Sequence, residues 1–142
     1  MTKKLNCILL IDDDEATNFL HRLVLEDYGC AEKIMAVQKA EEGLKYLTTS
    51  KADIFPQPDL IFLDINMPGM NGWEFLEAYE KLETNQKGGL VIVMLTTSLN
   101  PDDEAAAGSK EKVMGFLSKP LNEAKITKIL RDHFPEVLED GA

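Results

Sequence analysis

Leu60-Ile61-Phe62-Leu63-Asp64 leads directly into Ile65-Asn66-Met67-Pro68-Gly69-Met70-Asn71-Gly72. Four consecutive apolar residues that end at turn-forming residues are typical of a buried central strand running into a loop. Asp64 stands at the carboxyl end of this strand. Open α/β sheets place their chemistry at the carboxyl ends of their strands. We therefore expect Asp64 to lie at the functional edge of a sheet.

Strand and helix patterns alternate along the whole chain. Apolar runs predict four further strands, at Ile8–Ile11, Ile34–Val37, Leu90–Leu95 and Val113–Leu117. Apolar residues at helical spacing follow each strand. This alternation predicts an α/β fold in which five β-α repeats form a doubly wound parallel sheet. Right-handed crossovers then place the loops that follow the strands along one edge.

The first predicted helix carries apolar residues at helical spacing and a histidine among them. The apolar residues are Ala16, Phe19, Leu20, Leu23 and Val24. His21 falls between them, so we expect it at the surface or at the boundary of the core.

Helix-capping residues mark several boundaries. Gly29 is expected to end the first helix, and Asn71 is expected to cap the helix after the Asp64 strand. Pro135 would terminate the last helix. We expect one domain over residues 1–134 and an acidic C-terminal tail over residues 135–142, in which Glu136–Asp140 would be solvated.

Composition narrows the class of protein. With 142 residues, 44% of them hydrophobic, the chain can form one domain with a packed core. A net charge of −10 without a basic stripe disfavours nucleic-acid binding. No apolar run can span a membrane, and the N-terminal run is too short for a signal peptide, so we expect a cytoplasmic protein. Cys7 and Cys30 lack metal-ligand spacing and are expected to be reduced.

Five polar residues follow the predicted strands and would meet at one edge. Asp12 and Asp13 follow the first strand, Asp64 the third, Thr96 the fourth and Lys119 the fifth. Clustered carboxylates repel each other unless a counter-charge is present, and Mg²⁺ prefers such oxygen ligands. A carboxylate can also attack phosphorus and form an aspartyl phosphate. The residues therefore predict Asp64 as phosphoacceptor, Asp12 and Asp13 as metal holders, and Thr96 and Lys119 as ligands of the phosphoryl oxygens.

Four segments carry a family resemblance: Leu10–Asp13, Asp64–Gly72, Met94–Thr97 and Gly115–Pro120. In this order they resemble the receiver domains of response regulators in two-component signalling, the CheY-like family. The similarity covers about residues 5–134, and four motifs in order are far more specific than one. The resemblance implies a flavodoxin-like (βα)5 fold with strand order 2-1-3-4-5. It also implies phosphotransfer from a phosphohistidine of a sensor histidine kinase to the aspartate after the third strand.

The resemblance implies a ligand set for Mg²⁺. Asp13, Asp64 and the backbone carbonyl of Asn66 would bind the ion directly, and Asp12 would act mainly through water.

The resemblance also implies a conformational switch. Thr96 would move toward the phosphoryl group, and Phe116 occupies the aromatic switch position. Phe116 lacks the hydroxyl of the tyrosine often found there, so its switching would be steric. Thr97 is bulkier than the small residue common after the switch threonine, and we expect it to slow phosphate loss. The Lys119–Pro120 peptide bond is expected to be cis.

Two rival functions make different demands on these residues. A phosphohydrolase of the haloacid-dehalogenase type needs a second acid two residues after its nucleophile, and Asn66 stands there. A pseudo-receiver that only binds partners usually lacks the acceptor, an acid or the lysine, and all of these are present here. We therefore expect a stand-alone phosphoacceptor rather than a substrate-turnover enzyme.

The resemblance to receiver domains also implies the partners of this protein. A sensor histidine kinase or a phosphotransfer protein would donate the phosphoryl group. Too few residues follow Phe134 for an output domain, so we expect a downstream target protein. Family members commonly bind targets through the fourth helix, fifth strand and fifth helix, here roughly Pro101–His133. The same face could serve a homodimer.

Overall fold

A five-stranded parallel sheet forms the centre of the fold. The computed structural model describes residues 4–50, 56, 58–83, 86, 91–97, 101–108 and 113–139. The strands are β1 (Leu5–Ile11), β2 (Ala31–Val37), β3 (Leu60–Asp64), β4 (Val91–Thr96) and β5 (Val113–Ser118). Their order in the sheet is β2-β1-β3-β4-β5. The predicted strand order is confirmed.

Helices cover both faces of the sheet. Within the described residues they are α1 (Glu15–Tyr28), α2 (Ala40–Thr48), α3 (Gly72–Glu80), α4 (Pro101–Gly108), α5 (Glu123–His133) and α6 (Pro135–Glu139). No helix in this described part is both long and apolar enough to cross a membrane. The doubly wound α/β architecture predicted from the alternation is therefore confirmed.

The alternating side chains of the strands build two hydrophobic cores. Ile8 and Leu10 of β1 belong to the core that includes buried residues of α1, α5 and α6. Leu9 and Ile11 belong to the core that includes buried residues of α2 and α3. Because successive strand residues point to opposite faces, a continuous apolar strand supplies both cores at once.

Predicted caps fix the ends of two helices. Gly29 ends α1 in the left-handed conformation, with φ of 76°. The side chain of Asn71 accepts from the backbone N–H of Glu74, and the Glu74 carboxylate accepts from the N–H of Asn71. This reciprocal pair satisfies two amides that a helix start would otherwise leave unpaired. Both caps are confirmed, and Asn71 starts α3 immediately after the loop that carries Asp64.

The buried face of α1 differs from the predicted one. Phe19, Leu20 and Leu23 are 61%, 56% and 47% exposed. The helix instead buries Leu25 together with two polar residues, Asn18 and His21. The expectation that His21 lies at the surface or boundary is therefore wrong, since it is only 3% exposed. Burial of polar groups is costly unless they are hydrogen-bonded, and hydrogen bonds are made by Nδ2 of Asn18 and by Nε2 of His21.

The solvated acidic tail is also wrong for the described residues that follow Phe134. Pro135 begins α6, and proline suits the first turn of a helix because its missing N–H is not needed there. Val137 is 1% exposed and packs in the core beside α5. The division into a domain over residues 1–134 and a tail over residues 135–142 stays a prediction.

Both cysteines are buried free thiols, in agreement with the predicted reduced state. Burial raises the pKa of Cys7 and of Cys30. Since the thiolate is the reactive form, burial favours a structural role for both residues.

Candidate functional site

The sheet register brings the predicted site residues to one edge. Ile11 pairs with Leu63, so the residues that follow them, Asp12 and Asp64, lie side by side. Thr96 pairs with Ser118, which places Lys119 one residue beyond the end of β5. The order of the sheet reverses between β1 and β3, and open α/β sheets bind ligands at such a point.

Three carboxylates converge at this edge. One carboxylate oxygen from each of Asp12, Asp13 and Asp64 lies within 4.8 Å of the other two. Asp12 and Asp64 are buried, whereas Asp13 is exposed. This set of hard oxygen donors, partly open to solvent, fits Mg²⁺, which keeps several of its own waters.

Lys119 supplies positive charge inside the cluster. Its Nζ lies 2.5 Å from Oδ2 of Asp12 and 3.2 Å from Oδ1 of Asp64. Burial alone would lower the pKa of Lys119, but the two carboxylates outweigh burial and raise it. The ammonium therefore stays protonated and offsets the repulsion between the two buried acids.

The acidity of Asp64 is perturbed by its surroundings. Burial raises its pKa to about 6, with a further contribution from the charge of Asp12 and partial opposition from Lys119. Proximity to other acids and loss of water both disfavour the carboxylate form. A bound cation would reverse this effect, because it favours the charged form of each ligand.

The loop that carries Lys119 is held by several hydrogen bonds. The backbone N–H of Lys119 donates to the carbonyl of Thr96 over 2.7 Å. Nζ of Lys125 donates to the carbonyls of Ser118 and Pro120 over 2.7 and 2.9 Å. The Lys119–Pro120 peptide bond is cis, as the sequence predicts. Sequence reasoning missed Lys125, because a lysine in the first turn of an amphipathic helix carries no local signal of such contacts.

Asn18 was also missed by sequence reasoning. Its Nδ2 donates to the carbonyls of Asp12 and Val37 over 2.9 and 3.1 Å. These bonds join the ends of β1 and β2 to α1. Because both partners are carbonyl oxygens, they also assign the nitrogen and the oxygen of the Asn18 amide. Its Oδ1 is buried without a hydrogen-bond partner among the described residues. Leu25 lies seven residues after Asn18, which is two helical turns, so the two residues share one face of α1. A prediction that buried the face of Leu25 would therefore have buried Asn18 as well.

The remaining predicted residues lie around the cluster. Thr96 is buried at the end of β4, and Asn66 is exposed in the loop after Asp64. Phe116 pairs with Met94 across β4 and β5 and packs, half-buried, against the core that contains α2 and α3. The structure thus brings Thr96 and Phe116 onto neighbouring strands, and the switch roles assigned to them stay predictions.

Thr97 borders a cavity next to the acidic cluster. The cavity has a volume of about 270 Å³ and is lined by Thr17, Leu20, His21, Thr97, Lys119 and Pro120. Leu20 also belongs to the exposed apolar face of α1 described above. The approach to Lys119 is therefore partly apolar, and Thr97 stands at its side.

A family model described as the response regulator receiver domain matches residues 8–131. The chain belongs to this family. Receiver domains of two-component signalling are phosphoacceptors, and they interact with histidine kinases or phosphotransfer proteins. The predicted family is therefore confirmed.

Relatives of this receiver domain differ in length. It is 27% identical to the sensor histidine kinase GacS of Pseudomonas protegens over 123 residues, which are 87% of this chain and 12% of GacS. It is 25% identical to protein PilH of Pseudomonas aeruginosa over 87% of this chain and 93% of PilH. The chain thus spans a small part of one relative and nearly all of the other.

A solved structure shares the same fold. A two-component response regulator from Cytophaga hutchinsonii superposes with a TM-score of 0.79 at 28% sequence identity. The match covers 96% of this receiver domain and 98% of that chain. Agreement over almost the whole of both chains supports the flavodoxin-like assignment.

Proposed function

We propose that this receiver domain accepts a phosphoryl group on Asp64 from a sensor histidine kinase or a phosphotransfer protein, in a Mg²⁺-dependent reaction. One observation carries the proposal. Asp64 lies within 4.8 Å of two other acids and 3.2 Å from the Lys119 ammonium, at the carboxyl edge of the sheet. A nucleophile, a cation-binding set and a fixed positive charge are the groups that phosphoryl transfer to a carboxylate requires.

The transfer is a displacement at phosphorus. A carboxylate oxygen of Asp64 forms a new bond to phosphorus, and the bond between phosphorus and the donor's imidazole nitrogen breaks. The electron pair of that bond returns to the imidazole, which takes up a proton. The pKa of Asp64 is raised to about 6, largely by burial, so the required carboxylate predominates at neutral pH.

The surrounding residues stabilise charge on the transferred group. Lys119 and the hydroxyl of Thr96 would donate to phosphoryl oxygens, in positions fixed before the donor arrives. Mg²⁺, held by Asp13, Asp64 and the carbonyl of Asn66, with Asp12 acting through water, would supply neutralising positive charge.

Output is proposed to run through Thr96 and Phe116 to the face formed by α4, β5 and α5. Thr96 is buried at the end of β4, and Phe116 lies on the adjacent strand β5. A shift of Thr96 toward a phosphoryl group would open space that the Phe116 ring can enter. A downstream target protein, or a second copy forming a homodimer, would read the change at that face.

We further propose that the domain is a phosphoacceptor and does not turn over substrates. Asn66 stands two residues after Asp64, where a haloacid-dehalogenase-type phosphatase has its second acid. An amide cannot protonate a leaving group or activate water as a carboxylate can. The phosphoryl group would therefore remain on Asp64 until slow hydrolysis removes it.

Incubation with acetyl phosphate and Mg²⁺, followed by intact mass measurement, tests this function. The parent and Asp27→Asn, which changes an exposed carboxylate of α1, should gain one labile phosphoryl group. Asp64→Asn should gain none. An adduct retained in Asp64→Asn would refute the assignment of Asp64. Sustained turnover of small phosphoesters would instead support a phosphohydrolase, and no adduct in the parent would support a pseudo-receiver.

A further inference from the structure

A buried histidine of α1 reaches the loop that carries Lys119. Nε2 of His21 accepts a hydrogen bond from the backbone N–H of Leu121 over 3.2 Å, across 100 residues of sequence. We propose that His21 is a positioning residue for phosphoryl transfer, because it fixes the Lys119 loop and so keeps the Lys119 ammonium between Asp12 and Asp64. The inference rests on the proposed function of Asp64 as phosphoacceptor.

The backbone is held on both sides of Lys119. On one side, the N–H of Lys119 itself donates to the carbonyl of Thr96 in β4. On the other side, the N–H of Leu121 donates to His21. The side chain of Lys119 therefore starts from a segment fixed at one end by the sheet and at the other by α1. Without His21, a buried N–H would lack its partner, and the loop would shift to find another.

The same helix is tied to the acidic side of the site. Asn18 lies one turn before His21 and donates to the carbonyl of Asp12 over 2.9 Å. Two residues on one face of α1 thus hold the backbones that carry Asp12 and Lys119, whose charged groups lie 2.5 Å apart. We infer that α1 sets this distance: Asn18 holds the backbone of Asp12, and His21 holds the loop that carries Lys119.

His21 must be neutral with its hydrogen on Nδ1 in order to accept at Nε2. Burial lowers the pKa of His21, with the charges of Lys119 and Lys125 acting in the same direction and Asp12 opposing them. The neutral form therefore predominates at neutral pH. The hydrogen bond of His21 is made to the backbone of Leu121, so its proposed effect passes through the loop to Lys119.

Two substitutions distinguish the effect of the hydrogen-bond acceptor of His21 from the effect of the volume of its ring. His21→Met replaces the ring nitrogen by a thioether sulfur, which is only a weak acceptor, whereas His21→Gln places an amide oxygen at a similar reach. We expect His21→Met to lower the rate of phosphorylation by acetyl phosphate about ten-fold, since small displacements of a catalytic group are costly. His21→Gln should stay within about two-fold of the parent. Arg22→Met, at the exposed neighbouring position, should leave the rate unchanged.

A double-mutant cycle tests whether His21 acts through Lys119. In a Lys119→Met background, His21→Met should lower the rate no further, because residues that act as one unit are not additive. A full additional ten-fold loss in that background, or no rescue by His21→Gln, would show a general structural role and overturn the inference. A parent that forms no adduct would overturn the proposed function and this role together. A His21→Met variant with the parent's rate would overturn this role alone.

Nitrogen NMR of the parent provides a test that needs no phosphorylation. At neutral pH, the His21 ring should show a protonated Nδ1 and an unprotonated Nε2. A proton on Nε2 would contradict the hydrogen bond from Leu121 and overturn the inference even if the His21 variants fold poorly.

Discussion

The ammonium of Lys119 lies 2.5 Å from Oδ2 of Asp12. It also lies 3.2 Å from Oδ1 of Asp64, so a single positive charge contacts both buried acids. In the proposed function, this ammonium and Mg²⁺ would compete for the same carboxylates. Lys119 therefore has two opposed effects in the proposed function: it stabilises the transferred phosphoryl group and weakens the binding of Mg²⁺.

Lys119→Met is expected to change the two properties in opposite directions. The rate of phosphorylation by acetyl phosphate should fall about ten- to hundred-fold, because a fixed charge beside the phosphoryl oxygens is lost. The affinity for Mg²⁺ at about pH 8, where the carboxylates stay ionised, should rise about three- to ten-fold because a competing charge is gone. Calorimetric titration measures the affinity, and Lys128→Met, at an exposed position of α5, serves as control. Unchanged Mg²⁺ affinity in Lys119→Met would refute the competition.

Asp64→Asn is expected to stabilise the metal-free protein at neutral pH. The pKa of Asp64 is raised to about 6, first by burial and then by Asp12, whereas an unfolded aspartate titrates near about 4. Between these values the folded protein keeps a proton that the unfolded chain has released. Ionisation of Asp64 therefore lowers the stability of the parent as the pH rises from about 4 to above 6, and this one group contributes a loss of about 3 kcal/mol. Asparagine does not titrate and avoids this loss.

Urea unfolding in the presence of EDTA, at about pH 4 and about pH 8, measures this difference in stability. The advantage of Asp64→Asn over the parent should be small at the lower pH and large at the higher pH. Asp27→Asn, an exposed substitution, should show no such pH dependence. An equal advantage at both pH values would mean that packing, not ionisation, explains the effect.

The positions of the residues at strand ends could be predicted, because in a parallel sheet the residues that follow paired strand residues are themselves neighbours. Once Ile11 pairs with Leu63, Asp12 and Asp64 must be neighbours, and the same holds along β4 and β5. The alternation of strands and helices was therefore enough to predict that the acidic cluster, Thr96 and Lys119 lie at the same edge of the sheet.

The buried face of α1 could not be predicted in the same way. Phe19, Leu20 and Leu23 form the more apolar pattern, but the buried face instead carries Asn18, which donates to the carbonyl of Asp12, and His21, which accepts from the N–H of Leu121. These partners are backbone groups, and that of His21 lies 100 residues away, so a local pattern of hydrophobicity does not predict them. Tertiary contacts therefore overrode the helical periodicity.

Thr97→Ala is expected to shorten the lifetime of the phosphorylated protein. Thr97 is exposed and borders the cavity beside Lys119, where it would restrict access of water to the acyl phosphate. Hydrolysis of the adduct should become about two- to ten-fold faster, because exclusion of water slows such side reactions. The adduct, freed from acetyl phosphate by desalting, is followed by intact mass over time. Thr97→Val keeps the bulk without the hydroxyl and should match the parent; an unchanged rate in Thr97→Ala would refute the role.

Gly72→Ala is expected to distort the backbone of Asp64. A Cβ at position 72 would lie 2.6 Å from the carbonyl oxygen of Asp64 and 3.0 Å from Cα of Ile65. Both are backbone atoms in a buried strand end, so relief requires a shift of the chain, with a cost of about 1–3 kcal/mol. Phosphorylation should slow in parallel, because the acceptor moves relative to Lys119.

Gly115→Ala is the matched control for Gly72→Ala. There the nearest atom to an added Cβ is the side-chain Cγ2 of Val93 at 3.3 Å, so the neighbour must shift by only a few tenths of an ångström. Thermal unfolding should therefore show a smaller loss for Gly115→Ala, with the phosphorylation rate preserved. Equal losses of both stability and rate in the two variants would mean that the contact with Asp64 has no special effect.

Removal of residues 135–142 is expected to destabilise the domain. Val137 is 1% exposed in the core beside α5, and full burial of such a side chain stabilises by about 1.5–3 kcal/mol. Val137→Ala should lose about 1–2 kcal/mol in urea unfolding, since most of the buried side chain is deleted. Glu136→Gln, at an exposed position of the same helix, should lose nothing measurable. If a chain ending at Phe134 were as stable as the full chain, α6 would lie outside the domain, and the sequence-based boundary at residue 134 would be correct. The burial of Val137 favours a domain that includes α6.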